Sequence, residues 1–254
     1  MKITFLGTGT SQGVPVIACN CDVCLSKKPK DKRLRTSVML SFNHKNIVID
    51  TGPDFRQQML RENVKHLDAI LFTHEHKDHI AGMDDIRAFN YQSKSDMPVY
   101  ATQQVQKGLK NEFHYIFADF KYPGIPKIDL HTIYHNQPFK LFDKTIIPIE
   151  VMHYKMPVTA FRIDNFTYIT DANFISDQEK EKIKGTEVLV INALRKEEHI
   201  SHFTLQQALD FIAEIKPKKA YLTHISHLLG SHSDISLELP NNVFMAHDGL
   251  MLDI

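Results

Sequence analysis

Short apolar runs rich in β-branched residues recur along the chain and predict β-strands. The runs are KITFLG, TSVMLSF, NIVID, AILFT, PVYAT, TIIPIEVMH, TAFRI, FTYITD, EVLVINAL, KAYLTHI and VFMAHDGLMLDI. Helices are predicted between some of them, since SDQEKEKI and TLQQALDFIAEI each begin with capping-box spacing, as at Thr204 and Gln207. Strands that first form hairpins and later alternate with helices indicate an α/β fold, with two mixed β-sheets packed face to face and helices outside.

The domain organisation follows from length and continuity. No internal repeat, low-complexity stretch or linker divides the chain. Its 254 residues, of which 43% are hydrophobic, are enough to bury one large core. We therefore predict a single domain spanning residues 1–254.

Residues 71–86, LFTHEHKDHIAGMDDI, place three histidines and an aspartate after a buried strand. Apolar residues spaced by three then predict a helix, so the cluster lies in a strand-to-helix loop. Histidines are common in surface loops, and this chain has fifteen. Four donors in six residues nevertheless favour a metal site. In an extended turn His74 and His76 face one point while Asp78 and His79 face another, which predicts two ions.

Three further candidate ligands lie at the ends of predicted strands. His153 closes TIIPIEVMH, Asp171 closes FTYITD, and His224 lies at the end of KAYLTHI. Because a polar residue often ends a strand, each of them taken alone has a structural explanation. Their shared position on the edge that carries the loop favours metal ligation.

All three cysteines of the chain occur within IACNCDVC, as Cys19, Cys21 and Cys24. An odd number within six residues is a poor disulfide framework. The C-x-C-x-x-C spacing instead allows three thiolates to surround one tetrahedral zinc ion. We predict a small zinc-binding loop at about 19–24, with a histidine from elsewhere as fourth ligand.

Charge and hydropathy restrict the partners of the chain. Thirty basic residues balance thirty acidic ones, so no overall field attracts nucleic acid or an anionic membrane. KKPKDKRLR, residues 27–35, is a local exception that we interpret as a solvated loop, with phosphate steering or RNA docking as the alternative. MKITFLGTG is too short and polar for a signal peptide, and no run is long enough to span a membrane. These observations predict a cytoplasmic protein that binds neither membrane nor nucleic acid.

The H-x-H-x-D-H motif, followed by single His, Asp and His residues at strand ends, resembles the metallo-β-lactamase superfamily of dinuclear hydrolases over essentially the whole chain. The resemblance implies an αββα sandwich. It assigns His74, His76 and His153 to one ion, assigns Asp78, His79 and His224 to the second, and makes Asp171 a bridge between them. It also makes His227 the fourth ligand of the three cysteines.

The opening LGTGTSQGVPVIACNCDVC, together with THISH near the end, is similar to the phosphodiesterases that open phosphoribosyl 1,2-cyclic phosphate. This likeness implies hydrolysis of a small, cyclic phosphodiester through a metal-bridging hydroxide. The implied cofactors are two divalent ions (Zn, Mn, Ni or Fe) and one structural Zn. His202 matches the family's proton donor and Asp78 is counted with it as catalytic, whereas Asp50 supports the metal loop without binding metal.

Two other functions stay open at the level of the sequence. The metal site and the catalytic histidine are also similar to those of the endoribonucleases that trim tRNA 3′ ends, although no long basic arm is identifiable. The cysteine-rich start is shared with a non-hydrolytic pyrroloquinoline quinone biosynthesis relative, whose metal site is expected to depart from the seven ligands present here. A homodimer is possible, and residues 111–126 are expected to form a lid, a dimer surface or part of the core.

Overall fold

Two seven-stranded β-sheets form the centre of the computed structural model, which describes residues 1–120 and 122–254. The first sheet has the order β14-β1-β2-β3-β4-β5-β6, and the second has the order β13-β12-β11-β10-β9-β8-β7. The strands are β1 (Lys2–Gly7), β2 (Ser37–Phe42), β3 (Lys45–Ile49), β4 (Ala69–Leu71), β5 (Met97–Ala101), β6 (Ile128–Thr132), β7 (Phe139–Leu141), β8 (Lys144–His153), β9 (Met156–Ile163), β10 (Phe166–Tyr168), β11 (Val188–Asn192), β12 (Lys219–Thr223), β13 (Val243–Met245) and β14 (Met251–Asp253).

Helices cover the outer face of each sheet. They are α1 (Asp22–Leu25), α2 (Phe55–Arg61), α3 (Lys77–Ile80), α4 (Arg87–Ser93), α5 (Gln103–Glu112), α6 (His114–Phe117), α7 (Asp177–Ile183), α8 (Leu205–Ile215) and α9 (His232–Glu238), with short 3₁₀ turns at Pro29–Asp31 and Met83–Ile86. The predicted capping box at Thr204 and Gln207 is present at the start of α8. The Ser176 hydroxyl likewise accepts from Glu179 N at the start of α7.

The two sheets share one pairing pattern. In each, three neighbouring strand pairs are antiparallel and the next three are parallel. The parallel strands β3, β4 and β5 therefore end at one edge of the first sheet, and β10, β11 and β12 end at one edge of the second. Loops that follow these strands carry most of the candidate ligands.

Three apolar layers stabilise this arrangement. Phe5, Leu40 and Phe161 belong to the core between the sheets. A second cluster packs α2, α4 and α5 on the first sheet, and a third packs α7, α8 and α9 on the second sheet. The predicted αββα sandwich of two mixed sheets is confirmed, because each sheet buries apolar residues on both faces.

The prediction of one continuous helix after the metal loop was wrong. The segment forms α3, then a 3₁₀ turn, then α4. The break lies at Gly82, where an added Cβ would stand 2.2 Å from the Gly52 carbonyl oxygen. Close backbone packing between these two glycines therefore takes precedence over the threefold apolar spacing.

Two other regions differ from the sequence prediction. VFMAHDGLMLDI forms two strands in different sheets, because the chain crosses between the sheets after β13. Strands β6 and β7 were missed, since neither carries a long apolar run. In residues 111–126, Phe113 and Ile116 are buried whereas Phe120 and Tyr122 are exposed; Lys121 lies outside the described residues.

The basic run 27–35 is not a continuous cationic surface. Arg33 is buried, and it donates to the Thr8 hydroxyl and the Ala246 carbonyl oxygen. Arg35 pairs with Asp54 at 3.1 Å. The lysines of the run therefore carry its exposed charge. Separately, no helix in the described part of the chain has the length and apolar character needed to cross a membrane.

Candidate metal centre

The seven predicted His and Asp ligands converge where strands of both sheets end. His74 and His76 follow β4, Asp171 follows β10, and His224 follows β12. Asp171 and His224 have positive φ angles of 53° and 54°, and Asp50 after β3 has 65°. These left-handed backbone conformations are uncommon for residues other than glycine, and they turn each side chain from the strand towards one point.

Asp171 is common to three groups of donor atoms that each lie within 4.8 Å of one another. The groups are Asp78, His79, Asp171 and His224; His74, His76 and Asp171; and His153, Asp171 and His202. The position of Asp171 agrees with the bridging role that the resemblance implies. His153 is grouped with His202 rather than with His74, although its ring centre is only 5.2 Å from that of His76.

Distances between donors fit a coordination sphere. His224 Nε2 lies 3.2 Å from Asp171 Oδ1, and His79 Nε2 lies 3.2 Å from Asp78 Oδ2. The distance from His74 Nε2 to Asp171 Oδ2 is 3.7 Å. Metal–ligand bonds of about 2.1 Å give donor-to-donor distances of roughly 3.0 to 3.4 Å. The two separations of 3.2 Å correspond to neighbouring ligands of a shared ion, and the separation of 3.7 Å at His74 is somewhat longer than this range.

Three of the ligand imidazoles, those of His74, His79 and His153, are oriented by a hydrogen bond at Nδ1. The Nδ1 atom of His79 donates to Asp50 Oδ2 at 2.7 Å, and that of His153 donates to the Ser201 carbonyl oxygen at 2.8 Å. By contrast, the Nε2 atoms of His74, His79 and His224 are buried and have no hydrogen-bond partner among the described residues. Buried nitrogens without partners are costly, and ligation of a divalent ion would satisfy them.

Asp50 is the fully buried carboxylate that holds the metal loop. One of its oxygens accepts from Thr73 N at 2.8 Å, and the other accepts from the Thr73 hydroxyl at 2.8 Å and from His79 Nδ1. Because the hydroxyl donates to Asp50, it accepts from His74 Nδ1 at 2.9 Å. Asp50 makes no contact with the ion-facing nitrogens, which agrees with its predicted supporting role.

Burial and charge act against each other in this centre. Burial lowers the pKa of His74 far below its usual value. Burial would raise the pKa of Asp171 and lower that of His79, but their opposite charges outweigh it, so the pKa of Asp171 falls and the pKa of His79 rises. The same attraction to His79 lowers the pKa of Asp78 against burial. The carboxylates therefore favour the ionised form that metal ligation requires, whereas the raised pKa of His79 means that an ion binding to its Nε2 would displace a proton.

His202 lies beside the ligands on the segment before α8. Its ring centre is 4.5 Å from that of His153 and 4.8 Å from that of His224. Burial lowers the pKa of His202 to about 3, and its Nδ1 has no hydrogen-bond partner among the described residues. His199 lies farther out, and its Nδ1 accepts from Ser201 N at 3.3 Å. The structure thus brings His202, not His199, into the ligand cluster.

The three cysteines and His227 form a separate group, whose donor atoms all lie within 4.8 Å of one another. Sγ atoms of Cys19 and Cys21 lie 3.4 and 3.3 Å from His227 Nδ1. Zinc bonds of about 2.3 Å to sulfur and 2.05 Å to nitrogen give an edge of roughly 3.6 Å. The His227 contact lowers the pKa of Cys21 to about 6, which favours the thiolate. This donor set fits the predicted structural zinc.

Sequence analysis missed two residues that orient the ligands. Thr73 and Ser201 each bond the Nδ1 atom of a ligand histidine. Thr73 directly precedes the H-x-H motif, so its position next to a ligand could have indicated an orienting role. Ser201 acts through its carbonyl oxygen, which side-chain chemistry does not reveal.

An open cavity of about 580 Å³ borders the centre; we call it the entrance cavity. The ligands His76 and His153 lie on its wall, together with Lys155 and Ser201. A substrate of small to moderate size can therefore reach the metal ligands from this side.

The first prediction concerns the Thr73 hydroxyl. Thr73→Val should lower affinity for the ions at the His/Asp centre about 10- to 100-fold, because His74 Nδ1 and Asp50 each lose a partner. Competition with a chelator measures this affinity. Thr167→Val is the matched control, since Thr167 is equally buried but pairs with Thr186 away from the centre. Equal affinities for the two variants would contradict the orienting role of Thr73.

A second prediction concerns the cysteine loop. Cys19→Ser should reduce the zinc content by about one ion per chain and lower the thermal unfolding midpoint, because metal-binding free energy contributes to folding. Elemental analysis and calorimetry provide the measurements. Asn20→Ala is the control, because Asn20 lies between Cys19 and Cys21 in the same loop and is exposed. An unchanged zinc content in the Cys19 variant would exclude this site.

Comparison with known proteins agrees with the site geometry. Residues 45–225 match the model of the β-lactamase superfamily domain. A curated relative named octanoyltransferase, from Porphyromonas gingivalis (strain ATCC BAA-308 / W83), is 39% identical over 252 residues, which is 98% of this chain and 51% of the relative. The chain therefore spans about half the length of that relative.

Solved structures extend the comparison to the whole chain. The crystal structure of a diphosphatase from the PhnP family has a TM-score of 0.93 and 39% identity, covering 100% of this chain and 97% of that one. Zn²⁺-bound PqqB from Methylobacterium extorquens has a TM-score of 0.83 at 19% identity, with full coverage of both chains, and shows the same fold. The family match and the diphosphatase structure support a metal-dependent hydrolase. This chain belongs to the metallo-β-lactamase superfamily.

Proposed function

We propose that this chain hydrolyses a small, cyclic phosphodiester with the help of two divalent ions. The observation that carries the proposal is the cluster of His and Asp donors around Asp171, with His202 beside it and the entrance cavity in front. The 39% identical diphosphatase supports action at phosphorus. Zinc, manganese, nickel and iron all suit the donor set.

The residues of the chain have separate roles in this reaction. Ions bound by the His and Asp ligands would supply Lewis-acid stabilisation of the phosphoryl oxygens and a hydroxide nucleophile. Asp50, Thr73 and the Ser201 carbonyl hold the ligand rings, so their lone pairs stay directed at the ions. Rigid orientation of this kind lowers the cost of reaching the transition state.

His202 is the proposed proton donor to the departing oxygen. Its low pKa keeps the ring neutral in the free protein. An anionic phosphoryl group bound beside it would raise the pKa of the ring and so favour the protonated form that donates. Because Nδ1 is not bonded to another described residue, the ring is free to exchange a proton.

The zinc loop and the hydrolase centre are proposed to work as one domain over residues 1–254. Backbone hydrogen bonds join the segment that precedes the zinc loop to Ile225, since Thr10 N donates to the Ile225 carbonyl and Ile225 N donates to the Thr8 carbonyl. His224 and His227 flank Ile225, one at each site. The zinc loop is proposed to support the position of His224 through His227, which contacts its thiolates.

Two alternative activities have specific observations for or against them. Hydrolysis of a diphosphate is the second candidate, because the 39% identical structure is a diphosphatase. Precursor tRNA is a weaker candidate, since Arg33 is buried and Arg35 is paired, so only the four lysines of the basic run are available to contact phosphates. Octanoyl transfer is not proposed for this chain, because the chain matches only about half of the relative that is named for that activity.

A hydrolysis panel tests the proposed function. Purified protein of known metal content should cleave phosphoribosyl 1,2-cyclic phosphate, or a 2′,3′-cyclic nucleotide, and lose this activity to a chelator. Its kcat/KM should change only a few-fold between about 50 and 200 mM salt, because few phosphate contacts are made. Faster cleavage of a diphosphate would favour the second candidate. Efficient, salt-sensitive trimming of precursor tRNA would overturn the proposal.

A variant separates proton donation from metal binding. His202→Ala should keep its ions and lose roughly two to four orders of magnitude in kcat on a diester with a poor leaving group. With a nitrophenolate leaving group the loss should be smaller, because that anion leaves without a proton. His199→Ala is the neighbouring control. Equal losses of the His202 variant on both substrates would exclude the proton-donor role.

A further inference from the structure

A cavity of about 390 Å³ lies at one end of the sandwich, beside the edge strand β13 and the segment that leads to β14; we call it the end cavity. The residues of its wall that matter here are Lys30, Tyr221, His232, Phe244, His247 and Leu250. None of its lining residues is a metal ligand, and none also lines the entrance cavity. The end cavity is therefore separate from the hydrolase centre.

Part of the wall of the end cavity is flat and apolar. Tyr221 on β12 pairs in register with Phe244 on the parallel strand β13. Their rings stack with centres 5.3 Å apart, and Leu250 adds a further apolar side chain to the wall. Because β13 is an edge strand, no further strand covers Phe244, which is 39% exposed. An aromatic group of a ligand can therefore pack against this wall.

The other part of the wall offers hydrogen-bond donors. Arg33 Nη2 lies 3.2 Å from His232 Nδ1. Because a guanidinium group can only donate, His232 Nδ1 accepts, and the neutral ring carries its proton on Nε2. This Nε2 atom has no hydrogen-bond partner among the described residues, although His232 lies on the cavity wall. The His232 ring therefore presents an unused N–H donor.

Positive charge prevails around the two histidines of the end cavity. After burial, the charges of Arg33 and Lys30 are the main causes that lower the pKa of His232 to about 4, and Asp31 opposes them least. Lys30 and Arg33 also lower the pKa of His247. The same field that disfavours a proton on these rings favours an anion beside them.

Charge balance limits such an anion to one negative charge. Arg33 is buried, and the nearby Asp248 and Asp31 oppose its charge. Lys30 is exposed and is the one lysine or arginine on the described lining; no ion pair among the described residues includes it. A dianion would leave one charge unbalanced next to an apolar wall, which is costly. One carboxylate matches one ammonium group.

We propose that the end cavity binds a small aromatic carboxylate at a site separate from the hydrolase centre. The Lys30 ammonium group and the Nε2 donor of His232 contact the carboxylate, and the aromatic body packs against Phe244. Binding at this site does not depend on the proposed phosphodiester hydrolysis.

An NMR titration of the ¹⁵N-labelled, zinc-loaded protein tests the site. Benzoate is compared with benzamide, which has the same shape without the charge, and with acetate, which has the charge without the ring. We expect benzoate to shift the amide signals of Ser236, Phe244 and His247, which line the end cavity. Its affinity should exceed that of each comparison compound by about fivefold or more, because each lacks one of the two contacts.

Substitution of Lys30 tests the charged contact. Lys30→Gln should weaken benzoate about threefold, a modest loss because the ammonium group is exposed, and should leave benzamide unchanged. Lys27→Gln is the matched control, since Lys27 is an exposed lysine of the same basic run that does not line the cavity. Its affinity for benzoate should equal that of the parent.

Substitution of Phe244 tests the apolar contact. Phe244→Ala should weaken benzoate about fivefold and leave acetate unchanged, because only benzoate has a ring to pack. Phe142→Ala is the matched control, since Phe142 is 43% exposed in the turn between β7 and β8, outside the end cavity.

Four outcomes would overturn the proposal. Shifts at His76 and Ser201 without shifts in the end cavity would place benzoate at the hydrolase centre instead. Equal losses in the Lys30 and Lys27 variants would show general charge attraction rather than a site. Equal affinities for benzoate and acetate would exclude packing of the ring. An absence of shifts in the end cavity at millimolar benzoate would exclude binding there.

Discussion

The metal centre depends on one buried carboxylate. Asp50 directly follows β3 and has a left-handed backbone conformation. Its two carboxylate oxygens accept hydrogen bonds from the backbone N–H and the hydroxyl of Thr73 and from His79 Nδ1. Burial raises the pKa of Asp50, and the surrounding donors oppose this rise. A carboxylate removed from water needs such donors, since an unpaired buried charge would cost several kcal/mol. The need to satisfy Asp50 therefore fixes the loop on which four ligands lie.

The ligands come from both sheets, so their distances depend on how the two sheets pack. His74, His76, Asp78 and His79 follow the first sheet, whereas His153, Asp171 and His224 belong to the second. One backbone bond, from Thr159 N to the Thr73 carbonyl oxygen at 2.9 Å, joins the sheets directly beside the loop. The close-packed core between the sheets then holds the two halves of the centre at a fixed separation, because a close-packed interior is hard to compress.

The sandwich fold and the candidate ligands could both be predicted from local sequence patterns, whereas several boundaries of helices and strands could not. The H-x-H-x-D-H spacing and the strand-end positions of His153, Asp171 and His224 depend on local patterns, and the structure brings these residues together. Helix breaks such as Gly82 depend on the carbonyl of Gly52, thirty residues earlier, which no local pattern contains. Strands β6 and β7 were missed for a related reason, since edge strands with half-exposed residues carry a weak apolar signal.

Outside the metal centre, the structure was also needed to tell which charged side chains are exposed. The run KKPKDKRLR has the composition of a phosphate-binding segment, yet Arg33 is buried and donates to the Thr8 hydroxyl and the Ala246 carbonyl oxygen. Burial lowers the pKa of Arg33 to about 10, and the nearby Asp248 and Asp31 partly compensate this loss. A count of basic residues therefore overestimates the surface charge here, because it ignores which side chains are buried.

The ligand set does not by itself determine the substrate. Proteins with the same fold are named as a diphosphatase and as PqqB. The surfaces that border the centre must therefore provide the selectivity. In this chain the wall of the entrance cavity beyond the metal ligands carries residues of mixed character, among them Lys155 and Ser201. Residues in these positions can contact the part of a substrate that lies beyond the reacting atom, which the metal ligands do not reach. A difference in substrate between proteins with the same ligands is therefore expected to follow from differences in this wall.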